Sequence, residues 1–253
     1  MPSAKVYTWF VTYVLALYLM ILMMSRTLQN PKPIQRQQKS SHTSKKWIYR
    51  FAAALGGFLF GYEIGIINSV LQMNPFQLFF GLGVPNAAGD AVIASDDNTS
   101  KTSLIVSFFL LGCIPGALFI SFAADILGRK KSLFIGSFLF TAGGLFQALV
   151  PSSMSISGRG AFIMAGRFIG GGGIGILSMS VPLYIAELAP SDIRGRLTSV
   201  QQLMITIGIA FASICNAIIL SAFGDKLVDN DAQWRAALGI QAAPGFLLFA
   251  MLF

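Results

Sequence analysis

Residues 158–208 read GRGAFIMAGRFIGGGGIGILSMSVPLYIAELAPSDIRGRLTSVQQLMITIG. Two apolar runs, each long enough to cross a bilayer as a helix, are joined by a short charged hairpin from Glu187 to Arg196. Arg167 sits inside the first run, and the pair Gln201 and Gln202 sits near the start of the second. Charged and amide side chains are costly in lipid, so these residues face something other than acyl chains.

The rest of the chain repeats this pattern. Of its 253 residues 55% are hydrophobic and 11% charged, with a mean hydropathy of +0.69, which is a membrane composition. The apolar residues gather in blocks at about 6–24, 51–73, 103–124, 132–150, 161–186, 197–222 and 236–253, each near the length that spans roughly 30 Å of hydrocarbon. None shows the alternation of a lipid-facing barrel strand, so the expectation is an all-α membrane protein. The net charge of +8 is carried between the blocks, where it orients helices rather than forming a groove for nucleic acid. Cys113 and Cys215 both fall inside apolar blocks, and no disulfide framework follows.

Residues 1–26 read as an extra hydrophobic segment. A cleaved signal peptide is the weaker reading, because the positive charge follows the apolar run and no small-residue cleavage site ends it. Residues 27–46 are basic, carry few apolar side chains to bury, and are expected to be a disordered cytosolic linker. Alternating the blocks from there places Arg129 to Lys131, Arg194 and Arg196 on the cytosolic side. The loops with Asp90, Asp96 and Asp97 and with Asp225, Asp229 and Asp231 fall outside. Asn98-Thr99-Ser100 is a glycosylation acceptor pattern on that outer side.

Glu63 is the one acidic residue well inside an apolar block, and Arg167 is the one comparably deep basic residue. Each costs about 2.5 to 3.5 kcal/mol on insertion scales, so each is the obvious partner of the other. The pair is either a structural tie between helices or a proton site. Burial favours a neutral carboxyl and a nearby arginine favours the carboxylate, so a moving arginine can switch protonation. The glycines from Gly170 to Gly173, with Gly175, lie within an apolar span and so are not a nucleotide loop. They, Gly112 and Gly116 let helices approach closely.

The segments RFIGGGGIG, PLYIAELAP, RGR and QQLMITIG resemble the N-terminal half of sugar porters, a family of the major facilitator superfamily. Asp125, Gly128, Arg129 and Lys130 match the D-x-x-G-R-[RK] loop between that superfamily's second and third helices. Glu187 and Arg194 match the charges flanking the loop between its fourth and fifth, and Trp234, Arg235, Gly239, Gln241 and Pro244 resemble the start of its sixth. The likeness covers residues 47–253, and GYEIGIIN is closest in flavour to fungal hexose carriers. The extra block at 6–24 departs from the family, which usually begins with a polar tail.

What the resemblance implies is proton-coupled sugar transport at the plasma membrane, with no enzymatic step, no metal and no cofactor beyond the coupling proton. Glu63 and Arg167 would carry the proton, with Glu standing where Asp is commoner. Gln202 would bind a sugar hydroxyl, since an amide both donates and accepts. Phe60 would line the same site, and Ile205 and Ile209 share the face of Gln202 by helical spacing. Gln201 points about 100° away and is set outside the site. The cytosolic charges would latch the two halves of a twelve-helix fold whose substrate binds between them. Only the first half is supplied, so a truncated transporter missing its C-terminal half-bundle is expected. A non-transporting sugar sensor or a regulatory half on the same scaffold is the alternative. Neither the sugar, nor symport against passive diffusion, follows from the sequence.

Overall fold

A computed structural model describes residues 45–85, 92–94, 98–188, 193–223 and 231–252. The chain divides into two compact units, residues 1–46 and Trp47–Phe253, and the described residues belong to the second apart from Lys45 and Lys46. The apolar block 6–24 and linker residues 27–44 lie outside the described residues.

The order of elements is α1 (Lys45–Val70), α2 (Asn74–Phe79), β1 (Gly83–Pro85), β2 (Val92–Ala94), α3 (Asn98–Leu127), α4 (Arg129–Ala148), α5 (Ile156–Leu188), α6 (Arg194–Phe223), α7 (Asp231–Ile240) and α8 (Ala242–Leu252). Among the described residues, four stretches are long and apolar enough to span a bilayer: Asn98–Leu127, Ile156–Glu187, Arg194–Ala222 and Asp231–Leu252. Ala54–Val70 is a shorter apolar helix. The protein is an all-α membrane fold, and two details differ from the sequence expectation. The loop after α1 holds the short helix α2 and a two-stranded antiparallel ribbon with Val84 opposite Ile93. The last block starts earlier, at Asp231, and breaks at Gln241. Pro244 accounts for that break, since it has no N–H for the carbonyl of Ile240 and its ring crowds the preceding turn.

The bundle is organised around α5. Of the four long spans it is the most buried, at 61% of its apolar window against 28% for α3 and 17% for α6. Backbone contact explains how it fits. A Cβ on Gly112 would strike the carbonyl of Phe168, one on Gly116 that of Gly172, and one on Gly175 that of Cys113, so α3 and α5 touch main chain to main chain. Gly143 and Gly173 do the same between α4 and α5. A second seam joins α1 to α6. Gly57, Gly61 and Gly65, four residues apart, face Gln201, Ile205 and Ile209 at the same spacing.

At the end of the bundle remote from the basic loops, Phe76, Phe79, Phe80 and Trp234 pack as a ring cluster, with Phe76 and Phe80 centroids 4.4 Å apart. Arg159 pins it from the start of α5. Its guanidinium donates to the carbonyls of Phe79 (3.1 Å), Met154 (2.9 Å) and Ser152 (2.5 Å), and lies 4.2 Å from the centroid of the Phe79 ring. Arg235 donates to the carbonyl of Ala148 at 3.1 Å and stacks on Trp234.

Candidate functional site

Glu63 on α1 and Arg167 on α5 meet in the interior. Both side chains are 2% exposed, and Arg167 Nη1 donates to Glu63 Oε1. The guanidinium carbon lies 4.6 Å from the centroid of Phe109 on α3, so three helices converge on one charge. Each partner repays part of the desolvation of the other, and removing either leaves a bare charge where water is scarce. Among the described residues, Glu63 Oε2 and Arg167 Nε have no hydrogen-bond partner. Glu63 and Arg167 are therefore a close ion pair held through one carboxylate oxygen.

On the basic-loop side of the pair, a cavity of about 180 Å³ opens between three helices. Gly57 and Phe60 of α1, Leu177 and Ser178 of α5, and Gln201 and Ile205 of α6 line it. The sequence expectations divide here. Phe60 and Ile205 share the cavity, whereas Ile209 lies against Gly65 one turn further along the seam. Gln202 is on the exposed face of α6, where its carbonyl accepts from Thr206 Oγ1 at 3.3 Å. Gln201, which the sequence reading set aside, is the amide in the cavity wall. The cause is the glycine row of α1, which draws the helical row containing Gln201 and Ile205 inward and turns Gln202 away. That row was readable in the spacing of Gly57, Gly61 and Gly65.

Arg129 ties together the charged end. Arg129 Nε and Nη2 donate to the two carboxylate oxygens of Glu187 at 2.7 and 2.6 Å, a two-pronged contact. Its Nη1 reaches Asp125 Oδ1 at 2.6 Å and the carbonyl of Ala124 at 2.5 Å. Gly128 makes the turn between α3 and α4 at φ +81°, a backbone conformation that side-chain-bearing residues rarely adopt. The structure thus joins Asp125, Arg129 and Glu187 across α3, α4 and α5. Lys130 and Arg194 are exposed side chains, and Arg194 opens α6. At the other end Asn98 is the first residue of α3, where its Oδ1 accepts from Thr102 Oγ1 at 2.9 Å.

The sequence profile of the sugar (and other) transporter family matches residues 49–253. A galactose-proton symporter of Escherichia coli (strain K12) is 33% identical over 224 residues, covering 87% of this chain and 40% of that protein. A sugar transport protein of Oryza sativa subsp. japonica is 32% identical over 214 residues, covering 82% of this chain and 39% of its own length. Among solved structures, the proton:xylose symporter XylE bound to 6-bromo-6-deoxy-D-glucose superposes with a TM-score of 0.71 at 29% identity, covering 84% of this chain and 45% of that one. The chain spans about two fifths of the length of these curated relatives. With its bundle of apolar helices and its profile match, this chain is an integral membrane protein that belongs to the sugar porter family of the major facilitator superfamily, and it corresponds to the N-terminal half of that fold.

Proposed function

We propose that this chain supplies the proton-binding half of a hexose transporter that works by alternating access, with the proton as its coupling ion and no other cofactor. The observation that carries this reading is the buried ion pair of Glu63 and Arg167, two formal charges set deep among apolar helices. When Glu63 takes a proton, Arg167 loses its counter-charge and the reason to stay against α1. When Glu63 is ionised, the pair re-forms and draws α5 onto α1. Proton occupancy therefore selects between two packings of the helices that wall the cavity.

The sugar sits beside this pair, with Phe60, Ile205 and Ile209 offering apolar surface and Gln202 an amide for hydroxyls. Gln202 faces away from the cavity inside this bundle, which suits a contact to solute held between two bundles rather than within one. At the basic end Asp125, Gly128, Arg129, Lys130, Glu187 and Arg194 act as the latch that holds one of the two states. The partner is a second six-helix bundle, the location is the plasma membrane, and residues 27–46 lie in the cytosol. The proton:xylose symporter and the galactose-proton symporter among its relatives support the coupling.

The test is proton movement with sugar. In lightly buffered, de-energised cells expressing the complete transport unit, adding a hexose should make the medium alkaline as protons enter with it. Sugar entry with no pH change would reject coupling and leave passive carriage.

A further inference from the structure

Arg167 has a second neighbour that the ion pair does not account for. The Phe109 ring of α3 is 7% exposed, and the guanidinium carbon of Arg167 sits over its face, 4.6 Å from the centroid. An aromatic face is electrostatically negative, so a desolvated cation stacked on it is stabilised. A planar guanidinium lies on such a face and still offers its edge donors to a carboxylate.

Backbone contacts hold this ring in place. A Cβ on Gly171 would strike the carbonyl of Phe109, and one on Gly112 that of Phe168. Gly171 lies about one turn beyond Arg167 and Gly112 about one turn beyond Phe109, so α3 and α5 are locked main chain to main chain around the stacked pair. The glycine row of α1, which carries Glu63, seats against the backbone of α6 instead. The ion pair therefore crosses from one glycine seam to the other, whereas the ring contact stays within one.

We propose that Phe109 is a positioning residue for Arg167, holding the guanidinium on α3 when Glu63 is protonated. This rests on the reading of Glu63 as the proton site. With the carboxyl neutral, the charge stays inside against the ring, and α1 is the part released. The ring contributes most in that state, because a cation already paired with a carboxylate gains less from a second electrostatic partner. Glu63 is the one acid among the described buried residues. The other titratable groups that interact with the pair are the Tyr62 hydroxyl on α1 and the Cys113 thiol on α3, and Cys215 on α6 interacts with Tyr62. All three are neutral near pH 7, so none replaces the lost carboxylate. The ionisable side chains of α4 are confined to its basic end, Arg129 to Lys131.

Ring fluorination tests this. Phenylalanine carrying one, two or three ring fluorines at position 109 drains the negative face in steps while nearly keeping shape and apolarity. The readout is the thermal midpoint of the 253-residue chain in nanodiscs. In Glu63→Gln, whose amide stands for the protonated carboxyl, the midpoint should fall with each fluorine, by about 2 to 6 °C at three. The slope should be shallower in the parent and absent in Arg167→Met, which has no cation. A flat series in Glu63→Gln, or one equally steep in Arg167→Met, would overturn the proposal, since a ring that only fills space is indifferent to the charge on its face. Should either variant fail to fold, the parent series decides: a stepwise fall supports the role and a flat line overturns it. The series needs no transport and so stands apart from the coupling test. Sugar entry without a pH change rejects proton coupling whatever the slopes, and alkalinisation with flat slopes rejects only the role of Phe109.

Discussion

Removing one member of the buried pair tests its energetics. Both side chains are 2% exposed, so Glu63→Leu leaves Arg167 as an unpaired charge among helices, and Arg167→Met leaves Glu63 in the same position. Breaking a buried pair from one side costs about 3 to 5 kcal/mol, whereas replacing both partners by apolar groups of similar volume is near neutral. At roughly 2 to 4 °C per kcal/mol for a chain of this size, each single substitution should lower the midpoint of unfolding by on the order of 10 °C. The double substitution should recover most of that loss. Thermal unfolding in nanodiscs, followed by tryptophan fluorescence with buried Trp234 as a reporter, measures all three variants. Single variants as stable as the parent, or a double variant that loses the sum of the two, would refute the argument, because the charges would then not depend on each other.

Three further outcomes follow. Gly61→Val should destabilise by about 1 to 3 kcal/mol and spread the seam between α1 and α6, since its Cβ would run into the carbonyl of Ile205, which is backbone and cannot swing aside. Cysteine cross-linking across that seam should fall with it. Arg129→Lys should loosen the basic end despite keeping the charge, because an ammonium cannot fork onto both oxygens of Glu187 and still reach Asp125. Faster labelling of a cysteine introduced at Ser178 by a membrane-impermeant thiol reagent would register the change. Asn98→Gln should abolish a shift in gel mobility that an endoglycosidase also removes when the protein is made in a eukaryotic host. A parent protein with no such shift would reject glycosylation at that acceptor.

The spans were legible because hydropathy is a property of each block alone. The ion pair was legible for a related reason: Glu63 and Arg167 are the deep charges of their blocks, so each points to the other without knowledge of the packing. The choice between Gln201 and Gln202 was not legible in the same way. Neighbours on a helix point about 100° apart, and which one faces inward depends on where α1 seats its glycine row. The short helix and ribbon after α1 were hidden as well. Its cohesion comes from Arg159, some 80 residues away, gathering the carbonyl and ring of Phe79, a contact that no local pattern announces. Gln147 reads as an ordinary polar residue near a helix end until its burial is seen.

The account rests on one carboxyl linking proton and sugar. The direct measurement is hexose accumulation against hexose exchange in vesicles that contain the complete transport unit with Glu63→Gln. An amide keeps the shape and cannot ionise, so accumulation driven by a pH gradient should vanish while exchange of labelled for unlabelled sugar persists. Accumulation at the parent level in Glu63→Gln would contradict the account.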